Sequence, residues 1–268
     1  MKEFDFLFDI VKKAFDIILD IYSRDFDVEY KAPSDPVTLA DKLVDELYIR
    51  EISRSFPDSA FLTEETYKPG MDTGHSFWCI DPLDGTKDYI QKNGEFCTMV
   101  SYIHRGDIMF GIIGLPVKNQ IIFSKKGKGS YILNNGIRER IKLKPKDINS
   151  ADLTAIHSRN HQDKMLFSVL DHLNIKNRIV RGSVGNKIAS ILLGEADIYI
   201  HPSPHTKWWD SSAGEIIIRE AGGCFTDVLN NRIDYTGKTV FNEKGIAASN
   251  LKDHKFLESI RGMFRTAH

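Results

Sequence analysis

Phe4, Leu7, Phe8, Val11, Ala14, Phe15, Ile18 and Tyr22 recur at helical spacing with Asp, Lys and Glu between them. This pattern predicts an amphipathic first helix. A stretch with Pro33, Asp35 and Pro36 predicts a loop, and a second helix follows with Leu43, Val44, Leu47 and Ile52 as its buried stripe. Thr38-x-x-Asp41 reads as a capping box at its start, and Pro57 ends it. From Ala60 to about Lys144 the pattern changes to short apolar runs bounded by Gly and Pro: Phe77–Ile80, Thr98–His104, Ile108–Ile113 and Gln120–Ser124. These predict a meandering antiparallel sheet. Beyond Pro145, strand and helix alternate: Leu153–Ile156, Asp163–Leu173, Ile179–Val180, Asn186–Leu193, Ile198–Ile200 and Ser211–Ala221. That is α/β order. We expect two αβ halves, residues 1–145 and 146–268, without internal repeats.

Composition narrows the class. With 41% hydrophobic and 27% charged residues over 268 positions, the chain is an ordinary globular one, neither disordered nor collagenous. A formal net charge of -1 argues against a broad surface for a nucleic-acid polymer. The longest apolar stretch, Met109–Val117, holds two glycines and a proline and is too short to span a bilayer. The segment from Met1 to Ile10 is acidic and Phe-rich and lacks the features of a signal or transit peptide, so a cytoplasmic protein is expected. Cys79, Cys97 and Cys224 are far apart and read as reduced thiols. Arg138, Arg140, Lys142, Lys144 and Lys146 alternate with Ile141 and Leu143, as on an edge strand protected by charge.

The candidate chemistry lies in acidic residues at predicted element ends. Asp81-Pro82-Leu83-Asp84-Gly85-Thr86 follows the Phe77–Ile80 strand directly. Two carboxylates three residues apart, with Pro82 fixing the backbone between them, can aim at one point, and Gly85 lets a phosphate approach its backbone N–H. Taken singly, Asp84-Gly85 also marks a plain turn, Glu64-Glu65 a solvated pair, and Asp210 the N-cap of a helix. In combination, and with no histidine or thiolate cluster beside them, oxygen ligands of this kind select Mg²⁺ or Mn²⁺.

Asp35-Pro36-Val37-Thr38-x-x-Asp41, Glu64-Glu65, Asp81–Thr86, and Trp209-Asp210 followed by Ala213-Gly214 together resemble the inositol monophosphatase superfamily. Within it, Lys87–Ile90, Asn93-Gly94-Glu95-Phe96, Ser158-Arg159-Asn160-His161 and Gly182–Lys187 are similar to segments of the 3′(2′),5′-bisphosphate nucleotidases. The resemblance implies an α/β (α+β) fold, a layered αβαβα sandwich of the sugar-phosphatase type. It also implies a phosphomonoester hydrolase using two or three Mg²⁺ ions, with Mn²⁺ as substitute, often lithium-sensitive. Carried onto this chain, Glu64, Asp81, Asp84, Asp210 and the Leu83 carbonyl would be the metal ligands, and Asp41 with Thr86 would position and activate water. Gly85 and Thr86 would hold the phosphate being cleaved, while His161, Ser183, Gly185 and Lys187 would hold the rest of the substrate. Val184 and His201 depart from residues that some members carry there. The implied substrate is a small bisphosphorylated nucleoside, adenosine 3′,5′-bisphosphate first. Inositol phosphates are the alternative, and a silent nucleotide-binding regulator stands further off. A monomer or homodimer is expected.

Overall fold

The structure, a computed structural model, describes residues 4–33, 35–72, 74–159, 164–237 and 239–264. The first helix, α1 (Phe6–Tyr22), and the second, α2 (Leu39–Ser55), form where the periodicity places them. Between them the chain makes a hairpin rather than a loop, β1 (Val28–Ala32) with β2 (Asp35–Thr38). Pro36 is tolerated because this two-stranded ribbon consists only of edges.

A seven-stranded sheet follows: β3 (Ala60–Thr63), β4 (Ser76–Asp84), β5 (Cys97–His104), β6 (Asp107–Leu115), β7 (Gln120–Lys125), β8 (Ser130–Asn134) and β9 (Ile137–Ile141), in that spatial order. Only β3 and β4 pair in parallel, and the rest is the expected antiparallel meander. The short helix α3 (Thr86–Ile90) sits between β4 and β5. The basic stretch is indeed an edge strand, but only through Ile141; Lys146 leaves that pattern to pair with Asp152 and Asp197.

The second sheet runs β11-β10-β12-β14-β13, from β10 (Thr154–Ser158), β11 (Asn177–Arg181), β12 (Ile198–His201), β13 (Cys224–Thr226) and β14 (Ile246–Ser249). Its helices are α4 (Lys164–His172), α5 (Val184–Leu192), α6 (Trp208–Glu220), α7 (Phe256–Ser259) and α8 (Arg261–Phe264). The helix α6 begins three residues before the Ser211 start expected from sequence. Trp208 and Trp209 are both buried and pack beside Phe77, Tyr67 and Tyr235, so the first turn is fixed by apolar burial.

Strand alternation builds the layers. Phe110 and Ile112 of β6 face α1 and α2, in a cluster with Phe15, Val44 and Trp78. Ile113 faces the other way, joining Ile188 of α5, Ile216 and Ile217 of α6, and Tyr199 and Ala248 of the second sheet. The far face of that sheet packs Ala155 and Ile198 against Leu166 and Val169 of α4 and Leu257 of α7. The order is therefore helices, sheet, helices, sheet, helices, the αβαβα sandwich. Cys79, Cys97 and Cys224 are free thiols. Among the described residues no helix is long and apolar enough to cross a membrane.

Gly111 lets α6 lie directly on β6: a Cβ there would stand 2.6 Å from Ile216 Cγ2 and 2.9 Å from the Ala213 carbonyl oxygen. Gly111→Val is therefore expected to destabilise the protein by about 1–3 kcal/mol, read as a lower urea midpoint at unchanged m-value. A midpoint equal to the wild type would contradict this packing.

Candidate active site

Residues three apart in a regular strand face opposite sides. In β4 they do not. Asp81 pairs with Met99 and Asp84 with Cys97, so three steps on β4 match two on β5. This bulge, with Pro82 inside it, adds one residue and turns both carboxylates to the same side. Across the parallel pair, Thr63 lies opposite Ile80 and the Glu64 N–H donates to the Ile80 carbonyl (3.1 Å), which brings Glu64 beside Asp81. Asp210 arrives from the first turn of α6. It sits inside the helix rather than at its N-cap, and its Oδ2 accepts the Lys207 N–H at 2.6 Å.

One oxygen from each of Asp81, Asp84 and Asp210 lies within 4.8 Å of the others. Each carboxylate uses one oxygen inside the protein. Asp81 Oδ1 accepts the Leu83 N–H (3.0 Å), Asp84 Oδ2 accepts the Ser183 hydroxyl and the Gly185 N–H (2.6 Å each), and Asp210 Oδ2 is taken by Lys207. Among the described residues their second oxygens have no hydrogen-bonding partner. Burial, reinforced by Glu64, Asp84 and Asp210, holds the Asp81 carboxyl well above the ordinary range. Burial, then Asp84 and Glu64, push Asp210 up to about 8. Oxygen donors on two buried carboxylates and one partly buried one, with spare lone pairs and mutual repulsion, fit a hard divalent cation.

Glu64 lines the same cleft but stands outside that trio, with Lys31 Nζ of β1 at 3.3 Å from its Oε1 and 2.7 Å from Glu65. Burial raises the Glu64 carboxyl as well. Behind the trio, Thr86 Oγ1 lies 3.1 Å from Asp41 Oδ1 and 3.2 Å from the Leu83 carbonyl oxygen. Asp41 Oδ2 accepts from the Thr38 N–H (2.7 Å) and the Thr38 hydroxyl (2.6 Å), so the expected cap is present and shares its carboxylate with Thr86. Burial pushes Asp41 up to about 7.

The cleft encloses ≈ 230 Å³. Glu64, Asp81, Leu83, Asp84, Gly85, Thr86, Ser183, Lys187 and Asp210 all line it; buried Asp41 and Gly185 stand outside the lining. Gly85 has a φ of +95°, and a Cβ there would lie 2.9 Å from both the Glu95 carbonyl oxygen and Ser183 Cβ, so this turn needs glycine. Lys187, 2% exposed, donates to the Ser183 carbonyl at 2.6 Å and is lowered to about 8 by burial. His161 lies outside the described residues. Sequence reading singled out neither Tyr199 nor His205, which also line the cleft; no spacing or motif marks them.

A layered αβ fold in which two carboxylates at a strand bulge meet a third from a helix is a site that could hold a metal ion, and comparison makes the class specific. The model of the inositol monophosphatase family matches residues 2–263, and the chain belongs to that family. It is 30% identical over 222 residues to the 3′(2′),5′-bisphosphate nucleotidase CysQ of Escherichia coli K12, covering 82% of this chain and 87% of the relative. It is 25% identical to a fructose-1,6-bisphosphatase/inositol-1-monophosphatase of Thermotoga maritima, over 92% of this chain and 93% of the relative. Among solved structures, CysQ from Bacteroides thetaiotaomicron aligns with a TM-score of 0.74 at 27% identity, covering 89% and 93% of the two chains. A Thermotoga maritima IMPase shares the fold at a TM-score of 0.83 over 99% of both chains, at 23% identity.

The raised carboxyls set a pH dependence. Asp41 and Asp210 move from an ordinary 3.8 to about 7 and about 8, so between those limits the folded state holds more protons than the unfolded one. Stability without metal is therefore expected to fall as pH rises from 4 to 8, the opposite of a salt-bridged carboxylate. Thermal melts should show this decline, and millimolar Mg²⁺ should flatten it. Asp210→Asn should raise the metal-free melting temperature by relieving repulsion and remove the Mg²⁺-induced increase. A metal-free melting temperature that climbs over this range, or a variant still stabilised by Mg²⁺, would contradict the assignment.

Proposed function

We propose that the protein is a Mg²⁺-dependent 3′(2′),5′-bisphosphate nucleotidase that hydrolyses adenosine 3′,5′-bisphosphate to AMP and phosphate. The observation that carries this reading is the joint lining of one cleft by the acidic trio and by Lys87, Arg159 and Lys187. A cleft of two charge signs suits a substrate with one phosphate at the metal centre and another beyond it. The identity with CysQ over most of both chains supports the same substrate.

In this reading Glu64, Asp81, Asp84, Asp210 and the Leu83 carbonyl would hold Mg²⁺. Bound Mg²⁺ would supply positive charge that offsets the phosphate's negative charge and would polarise both the attacking water and the leaving oxygen. The chain's own residues then handle the proton. The Thr86 hydroxyl donates to Asp41 Oδ1, which leaves its lone pairs to accept a hydrogen bond from water in the cleft; as Oγ1 takes the water's proton, its own proton passes to Asp41. Thr38 fixes the other Asp41 oxygen, so the carboxylate is oriented before substrate arrives. Its elevation to about 7 suits a base working near neutral pH. Gly85 and Thr86 N–H groups would hold the reacting phosphate, and Lys187 and His161 the remainder. Ser183 lines the cleft and would contact the substrate through its N–H, while its hydroxyl and the Gly185 N–H bond Asp84.

A second reading, an inositol phosphate phosphatase, draws on the Thermotoga maritima relative. Phosphate release measured across adenosine 3′,5′-bisphosphate, inositol 1-phosphate, inositol 1,4-bisphosphate and fructose 1,6-bisphosphate separates the two. The highest kcat/KM is expected for the bisphosphonucleotide and only with Mg²⁺; preference for an inositol phosphate would replace the first reading by the second. Asp41→Asn should lower kcat by ~10²-fold or more with little change in KM. Turnover within threefold of wild type would remove Asp41 from the proton path.

A further inference from the structure

Glu95 lies between α3 and β5, and three donors from distant segments converge on its carboxylate. Arg159, just after β10, donates to both oxygens at 2.9 and 2.8 Å. Arg181, at the end of β11, donates at 3.3 Å, and the Gly182 N–H donates at 2.6 Å. The Glu95 side chain is only 13% exposed, while its two arginine partners remain partly open to solvent. Asp88 of α3 closes on the same turn: a Cβ at Gly182 would stand 2.1 Å from Asp88 Cγ. Residue 182 can approach only because it has no side chain.

The turn so held delivers the next residue in a rare conformation. Ser183 has φ 57° and ψ 139°, a left-handed value that a non-glycine residue keeps only where its surroundings impose it. Lys187 Nζ bonds its carbonyl from the other side (2.6 Å). The outcome is aimed at one atom: the Ser183 hydroxyl and the Gly185 N–H both reach Asp84 Oδ2 at 2.6 Å. Glu95 thus restrains the segment that orients an acidic residue of the trio, without touching that residue.

We infer that Glu95 is a positioning residue for the divalent-cation site, acting through the Gly182–Gly185 turn on Asp84. The inference rests on the reading of the trio as a metal centre. Removing the Glu95 charge leaves one amide oxygen for three donors, weakens the hold on Gly182, lets Ser183 relax toward an ordinary backbone conformation, and loosens the two bonds that hold Asp84. Outer-shell partners of this kind change metal affinity by ~10–100-fold.

The test is Mn²⁺ binding to the full-length protein without substrate, followed by the electron paramagnetic resonance of free Mn²⁺. Glu95→Gln is expected to raise the Kd by ~10-fold, and excess Mn²⁺ should restore kcat, a rescue that general loss of structure would not give. In a Ser183→Ala background, where only the Gly185 N–H still ties the turn to Asp84, the same substitution should raise the Kd by a smaller factor than in the wild-type background. Arg181→Gln, which leaves Glu95 in place, should give a smaller increase in Kd. Unchanged affinity in Glu95→Gln overturns the inference, and so does an equal tenfold loss in both backgrounds. Wild-type protein that binds no Mn²⁺ would instead remove the metal reading itself.

Discussion

Three carboxylates that repel one another, Asp81, Asp84 and Asp210, are held together with one oxygen of each within 4.8 Å of the others, and the rest of the site is arranged around that constraint. Burial makes the repulsion more severe than it would be in water, which is why Asp81 and Asp210 are driven toward their protonated forms. The fold offsets part of the cost with backbone dipoles. Asp41 and Asp210 each sit in the first turn of a helix, where the partial positive charge of unpaired N–H groups favours an anion, and each accepts the N–H of the residue preceding its helix. A residual deficit of positive charge remains at the trio. A hard divalent cation would satisfy it.

That constraint explains the division of labour between the sheets. The β4 bulge supplies Asp81 and Asp84 from the large sheet, while the helical layer between the sheets supplies Asp210 from α6 and the bonds to Asp84 from the start of α5. Both helices are held by the apolar cluster that Ile188 and Ile216 form with Ile113 and Tyr199. Close packing there fixes the arrangement of the carboxylates at a distance, because a shift of α5 or α6 would move Asp210 or the groups that bond Asp84. Glu95 adds a polar tie from the large sheet's side of the cleft.

Much of this could be read from the sequence, and the reasons it could are physical. Helices α1 and α2 follow from spacing, the capping box follows from Thr38 and Asp41, and Pro82 between two aspartates suggests carboxylates aimed at one point, though not the bulge that aims them. Four motifs in order were specific enough to give the family and the layered fold. What stayed hidden depends on partners distant in sequence. Ser183 and Gly185 suggested substrate contacts, yet their bonds go to Asp84, some hundred positions away, and no local pattern signals that pairing. The Asp210 position was displaced because Trp208 and Trp209 extend α6 backward for the sake of burial, which outweighs the local cap preference. The β1–β2 hairpin was concealed by its prolines, and the Lys31 contact with Glu64 follows only once that hairpin exists.

The most direct measurement is isothermal titration calorimetry of Mg²⁺ into the metal-free protein at pH 7, repeated in buffers of different ionisation enthalpy. Ligation requires ionised carboxylates, and Asp210, raised to about 8, is largely protonated before the cation arrives. Binding should therefore release protons, with an apparent enthalpy that changes linearly with the buffer's. Binding without proton release, or no binding at all, would contradict the account of a carboxylate trio left unsatisfied until a cation enters.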